Sequence, residues 1–275
     1  MSIDTNDTTK IDGTSADTRV SGTARTAVRS VSFARLLRVE ARKLVDTRAG
    51  RWLLGICAAI TALSAWGAIV WMPDLDVETA PSFVYDIALL PAAFLVPVIA
   101  ILAATAEWSQ RTGLVTFALE PRRLRVVAAK VVVACGAGLL AVAGILALVY
   151  GGLGVSALLG DAPASWAMSG PRIAGSALVV VLTMLQAGAF GFATLNTAAA
   201  IVSFFALPTV ITVATTLSTW LGERAAWFDI GATGTPFAAG TATATDWAHL
   251  ATAAAIWVVL PMAIGIVRVL RADMK

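Results

Sequence analysis

Six long apolar windows, at 52–71, 87–106, 126–153, 173–195, 198–220 and 247–267, govern what this 275-residue chain can fold into. A bilayer hydrocarbon core about 30 Å thick is crossed by roughly 20 apolar residues in a helix, and every window reaches that length. The windows are continuous runs of Ala, Leu and Val rather than ten-residue alternating segments, so helices are favoured over a barrel. Composition agrees. The chain is 58% hydrophobic and 13% charged, where a soluble domain carries about 25% charged residues. The expected fold class is all-α: a polytopic membrane protein with six transmembrane helices.

Residues 1–30 are rich in Thr, Ser, Asp and Gly and hold no apolar run, which predicts a disordered tail. A cleavable signal peptide is not expected, because the first apolar segment comes after residue 50 and spans full membrane thickness. Residues 31–50 form a separate amphipathic unit, and residues 51–275 form the six-span domain. Cys57 and Cys135 fall inside spans and define neither a disulfide framework nor a metal site. His249, in the first turn of the last window, reads as an interfacial polar residue.

Cations are retained on the cytoplasmic side of membrane proteins. Assigned to alternating sides of the six windows, eighteen of the twenty Lys and Arg residues share one side, leaving Arg172 and Arg224 on the other. Both termini, the first of them the tail 1–30, are therefore expected in the cytoplasm. The outer segment PDLDVETAPSFVYD agrees, with Asp74, Asp76, Glu78 and Asp86 and no cation. Trp71, Trp166, Trp220, Trp227 and Trp247 lie near outer ends and Trp52 and Trp108 near inner ends, as interfacial anchors do. The inner turn TLNTAAA carries no charge.

With Lys130 counted in the inner segment between the second and third spans, the span interiors hold none of the charged groups that mark ion relays or voltage sensors. Their polar residues are Gln186 and scattered Ser and Thr, with Asn196 at the inner turn; Gln186 and Asn196 are candidates for lining a translocation path, and interhelical hydrogen bonding is the simpler role for Gln186. Pro91, Pro97, Pro208 and Pro261 permit kinks. Gly55 with Ala59 and Ala134 with Gly138 are small pairs suited to close helix packing. No HExxH, GxSxG or phosphate-binding glycine loop is present. A chain with neither ion relay nor catalytic cluster must borrow energy if it moves a cargo.

The inner segment AEWSQRTGLVTFALEPRRLRVVAAK is longer than a connecting turn requires. On a helix from Ser109 to Glu120, Leu114, Val115, Phe117, Ala118 and Leu119 share one arc, and Ser109, Thr112, Gly113, Thr116 and Glu120 share the other. Pro121 suits the first turn of the following span. The cations of RRLR sit at that helix N-terminus against the macrodipole, for which anionic lipid phosphates are the simplest compensation. A second amphipathic helix precedes the first span, with Phe33, Leu36, Leu37, Ala41 and Leu44 on one face and Arg35, Arg38, Arg42 and Asp46 on the other, as in an interfacial helix. Glu40 sits in the middle of the apolar face. It either pairs locally with Lys43 or Arg48 or marks a face that meets protein rather than lipid.

The pattern E..KL...R before the first span and the segment EWSQRTGLVTFALEPRRLRVVAAK together resemble the permease subunit of type-2 ATP-binding-cassette exporters, over most of residues 32–275. The resemblance implies an elbow helix containing Glu40, Lys43 and Arg48. It also implies a cytoplasmic coupling helix at about 107–123, with Glu107, Arg111, Thr112, Thr116, Glu120, Pro121 and Arg122 at or beside a contact with a separate ATPase. Thr112, Thr116 and Glu120 are expected to face that ATPase, and Leu114 and Phe117 to pack beneath the spans. An outer re-entrant segment at about 222–246 is implied as well. The uncharged LNTAA departs from the pattern, which puts a second ATPase contact in doubt.

A half-sized permease of this kind implies pairing with a second copy or a sister permease, ATP and Mg bound by the partner ATPase and not by this chain, and a bacterial plasma-membrane location. It implies no catalytic residues, no metal and no nucleic-acid partner. The uncharged spans point to a hydrophobic or amphiphilic cargo such as a drug, lipid or antimicrobial peptide. The rival class is a polytopic membrane enzyme or structural membrane subunit; an enzyme would bring polar groups together at one depth, where the sequence offers isolated Gln186, Asn196 and His249.

Overall fold

The computed structural model describes residues 32–71, 80–160 and 166–272. The tail 1–30, the outer acidic residues Asp74, Asp76 and Glu78, and Lys275 lie outside the described residues. The described chain is helical, without strands. Six helices are long and apolar enough to cross a membrane: α2 (Arg48–Trp71), α3 (Ala80–Ser109), α5 (Arg123–Leu159), α6 (Gly170–Thr194), α7 (Thr197–Leu217) and a composite sixth. The sixth is broken where a single helix is predicted. It runs as α11 (Ala244–Ala254), a π turn (Ala255–Val259) and α12 (Leu260–Arg271). The wide turn, in which Leu260 N–H donates to Ala255 O, falls one residue before Pro261, whose nitrogen has no hydrogen to donate.

Before the first span lies α1 (Phe33–Asp46), capped by Ser32, whose hydroxyl accepts from Arg35 N–H. The turn into α2 is tight. Thr47 accepts from Gly50 N–H at 3.0 Å, and a Cβ at Gly50 would stand 2.0 Å from Leu44 O, so this corner admits glycine alone. Between α3 and α5 sits α4 (Gly113–Leu119).

The bundle is built around α6, whose stretch Gln186–Phe192 is wholly buried and which packs against α3, α5, α7 and α12. Small residues set the spacing: a Cβ at Gly191 would lie 2.6 Å from Ala104 Cβ of α3, one at Gly138 of α5 2.8 Å from Met184 Cγ, and one at Gly265 of α12 2.6 Å from Phe192 Cβ. Ala134 and Gly138 thus serve packing inside the bundle. Gly55 and Ala59 instead face outward, with nothing within 4 Å of a Cβ at Gly55. The core proper collects Val84, Tyr85, Ile101, Val149, Leu153 and Met184.

After α7 the chain forms α8 (Thr219–Gly222), α9 (Ala225–Phe228) and α10 (Ile230–Ala239). Asp229 caps α10, accepting from Gly231 and Ala232 N–H, and also accepts from Thr212 of α7 at 2.9 Å. This broken region packs back on the bundle: Gly240 lies against Arg172, Phe237 O against Gly175 and Gly234 against Val179, so α10 runs beside the first turns of α6. Trp257 of the π turn donates to Phe228 O at 2.6 Å, fastening α9 to the sixth span.

Every described Lys and Arg except Arg172 and Arg224 lies at the end of the bundle that carries α1 and α4. The opposite end carries α10 and the ion pair of Arg172 with Asp86.

Candidate functional site

At the α1 end, four charged side chains from three helices close a ring. Glu40 of α1 accepts from Lys43 at 2.7 Å and from Lys130 of α5 at 2.8 Å. Glu107 of α3 meets the same two ammonium groups, at 3.1 Å and 2.9 Å. Lys130 also donates to Ala103 O at 2.7 Å. The side chains of Glu40, Glu107 and Lys130 are at most 3% exposed, whereas Lys43 is 37% exposed at the rim. Each charge thus has two of the opposite sign, the arrangement in which buried ions are tolerated. Burial disfavours the Lys43 ammonium, but hydrogen bonds and Coulomb attraction from Glu40 and Glu107 outweigh it and raise its pKa above the ordinary lysine value.

Glu40 therefore satisfies both halves of its sequence reading, a local pair with Lys43 and a contact with protein. Arg48, the other local candidate, is exposed and has no ion pair among the described residues. Lys130 corrects the sequence reading: it belongs not to the inner segment but to the interior of α5, where its amine reaches α1 and α3. Glu107 Oε2 is buried and has no hydrogen-bond partner among the described residues. It borders a cavity of about 310 Å³ walled by the ring and by Thr112, Val115 and Thr116.

The α3–α4 junction is shorter and sharper than a continuous helix from Ser109 to Glu120. Arg111 takes a left-handed conformation (φ 55°), and Thr112 N–H donates back to Glu107 O at 3.0 Å, the bond pattern of a Schellman stop. Because α3 ends this way, α4 begins only at Gly113. Phe117 anchors it beneath the spans, tilted against Trp108 with ring centroids 6.4 Å apart and under the Arg123 guanidinium at 5.0 Å.

Two expectations for this helix are corrected. Leu114 does not pack beneath the spans but is 56% exposed, with Val115 and Leu119 more so. Glu120 does not face outward but is 4% exposed, accepting from Arg125 at 2.7 Å and from Arg122 N–H at 3.4 Å. The outward surface of α4 is thus apolar, flanked by exposed Arg111 and Thr112 and half-buried Thr116.

Pro121 lies before α5 rather than in its first turn, since Arg122 is the N-cap; both residues are exposed. Two of the three RRLR cations also find protein partners where lipid phosphate is the simplest expectation. Arg123 donates to Val269 O at 2.7 Å and Ala272 O at 2.9 Å, satisfying carbonyls at the end of α12, and Arg125 pairs with Glu120. At the same end Arg268 donates to Ala193 O of α6.

Gln186 and Asn196 do not converge. Gln186 is buried within α6 with Nε2 unpartnered among the described residues, while Asn196 is exposed and caps α7, accepting from Ala199 N–H at 3.0 Å. His249 packs edge-on to Trp227 and lies 3.9 Å from Asp246. Among the described residues no group of three or more His, Cys, Asp or Glu is placed to hold a metal ion. Neither a protein-family model nor a curated protein matches this chain. What fold and site define is a multi-pass helical membrane protein with a charge-locked, amphipathic collar at one end of its bundle.

Proposed function

We propose that the chain is the membrane-spanning permease subunit of an ATP-driven exporter of the type-2 ATP-binding-cassette class. It moves a hydrophobic or amphiphilic substrate across the bacterial plasma membrane with energy from a separate ATPase. The observation that carries this reading is α4. It is a short helix pinned by Phe117, wired through Glu107 and the ring to α1, α3 and α5, and yet presents Leu114, Val115 and Leu119 outward. A connection between two spans needs neither the rigidity nor the exposed apolar surface, whereas a helix gripped by a motor needs both. The concentration of cations at this end supports its cytoplasmic placement.

The test is co-expression with an ATP-binding-cassette ATPase encoded beside this chain, followed by co-purification, ATP hydrolysis and substrate efflux in liposomes. The wild-type pair is expected to purify together. Leu114→Asp with Leu119→Asp is expected to lower association by at least tenfold, as for loss of about 1–3 kcal/mol per anchor residue, while leaving the permease inserted and monodisperse. Cysteine probes at Gln110 and Ala272 are expected to resist labelling from outside cells, and one at Glu223, an exposed position at the opposite end, to react. Absence of any ATPase partner, or outside labelling at Gln110, overturns the reading.

A further inference from the structure

An apolar groove of about 900 Å³ lies between α1, α2, α3 and α5, and no residue of α4 lines it. Its size falls in the range of sites that enclose a whole small ligand. Leu37 and Leu44 of α1 roof it, and along α5 it extends from Val132 to Leu148, about 24 Å at 1.5 Å per residue. That exceeds the roughly 15 Å of hydrocarbon in half a bilayer core. The groove therefore runs from the membrane surface, where α1 lies, into the depth occupied by acyl chains.

One charged side chain lines it, a cation at its rim. Arg38 borders the groove, is exposed, and makes no hydrogen bond or ion pair among the described residues. Arg35 and Arg42, one turn to either side on the same helix, are exposed as well. The floor is kept open by small residues on α5: a Cβ at Gly136 or Gly144 would meet nothing within 4 Å. These glycines are thus not needed for helices to approach, in contrast to Gly138 on the same helix.

From the apolar slot and its cationic rim we infer that this groove binds one anionic phospholipid of the leaflet on which α1 lies, headgroup on Arg38 and an acyl chain along α5. The site depends on membrane insertion and on α1, not on the transport reading. An annular lipid exchanges freely at a convex helix surface, whereas this one is covered by α1 and is retained.

The experiment uses the full chain purified in mild detergent, equilibrated with phosphatidylglycerol and phosphatidylcholine of matched acyl chains, with bound lipid counted by native mass spectrometry. Wild type is expected to retain phosphatidylglycerol about fivefold over phosphatidylcholine, the factor one cation near an anionic headgroup contributes. Arg38→Gln is expected to abolish that preference, and Arg271→Gln, an exposed cation at the same end but outside the groove, to leave it intact. Gly136→Leu with Gly144→Leu puts side chains into the floor, where an added Cβ meets nothing within 4 Å, and is expected to lower retention of both lipids. Should that variant fail to fold, the comparison of Arg38→Gln with Arg271→Gln decides alone. Equal retention of the two lipids by wild type, or equal effects of the two arginine variants, overturns the inference. So does a glycine variant that keeps its lipid but loses self-association, which assigns the groove to a second copy of the chain.

Discussion

Lys130 of α5 reaches Glu40 of α1 at 2.8 Å across ninety residues of sequence, with both side chains 3% exposed. The link fixes an otherwise peripheral amphipathic helix to the bundle at one rotation and one depth. Shared partners Lys43 and Glu107 make the four groups a unit. Removing one charge leaves its neighbours buried and under-compensated, and such losses cost about 3–5 kcal/mol; Glu107 still faces Lys130 when Glu40 is gone, which places Glu40→Ala at the lower end. Glu40→Leu with Lys130→Met is expected to be less destabilising than the sum of its single variants, with a coupling of about 1–3 kcal/mol. Thermal unfolding of the four proteins in detergent measures it, with exposed Arg271→Ala as a near-neutral reference. Additive losses would show that the pair is not coupled.

Arg123 performs at the other side of this end what a terminal cap performs within a single helix. One nitrogen of its guanidinium, Nη1, donates to Val269 O and Ala272 O while the planar group lies over Phe117, a stacking that a Lys ammonium does not reproduce. Arg123→Gln and Arg123→Lys are both expected to lose about 1–3 kcal/mol and to expose the end of α12 to proteolysis. Full stability of Arg123→Lys would reduce the contact to simple charge.

The six spans and α1 are legible in the sequence because bilayer thickness and helical period impose patterns that no partner alters. Glu40 is legible as an anomaly: a carboxylate centred on an apolar face forecasts a buried contact. Its pair with Lys43 is legible too, from helical spacing; Lys130 and Glu107, the other members of the ring, are not, because they sit toward span ends, where a charge reads as interfacial until the helices are packed. The outward face of α4 is misread for a related reason. Helical period sorts Leu114, Phe117 and Leu119 into one arc but does not say which part of that arc the bundle covers. The left-handed stop at Arg111 rotates the helix so that Phe117 is covered, Leu114 and Leu119 are not, and Glu120 turns inward to Arg125.

The inward turn of Glu120 separates two variants that the sequence alone treats as equivalent. Glu120→Arg brings a second guanidinium beside Arg125 in a site that is 4% exposed, so it is expected to destabilise the folded chain itself by several kcal/mol. Thr112→Arg changes an exposed position and is expected to leave stability within about 0.5 kcal/mol while altering association with the proposed ATPase. Expression level, monodispersity and melting temperature of the two proteins distinguish these outcomes. Equal stability would place Glu120 on the outer surface of α4.

Glycines supply the sharpest packing test, since identical substitutions have opposite surroundings. A Cβ at Gly175 would fall 1.9 Å from Phe237 O, and one at Gly265 2.9 Å from Ala193 N. In both cases backbone stands in the way, and backbone cannot rotate aside. At Gly55 a Cβ meets nothing within 4 Å, and removing a helical glycine relieves up to about 1 kcal/mol of backbone entropy. Gly55→Ala is therefore expected to be neutral or stabilising. Gly265→Ala is expected to push α12 from α6 and lose about 1–3 kcal/mol, and Gly175→Ala to displace α10 from α6, visible as faster proteolysis or hydrogen exchange around Ile230–Ala239. Wild-type exchange in Gly175→Ala would mean that α10 is not held against α6 by this contact.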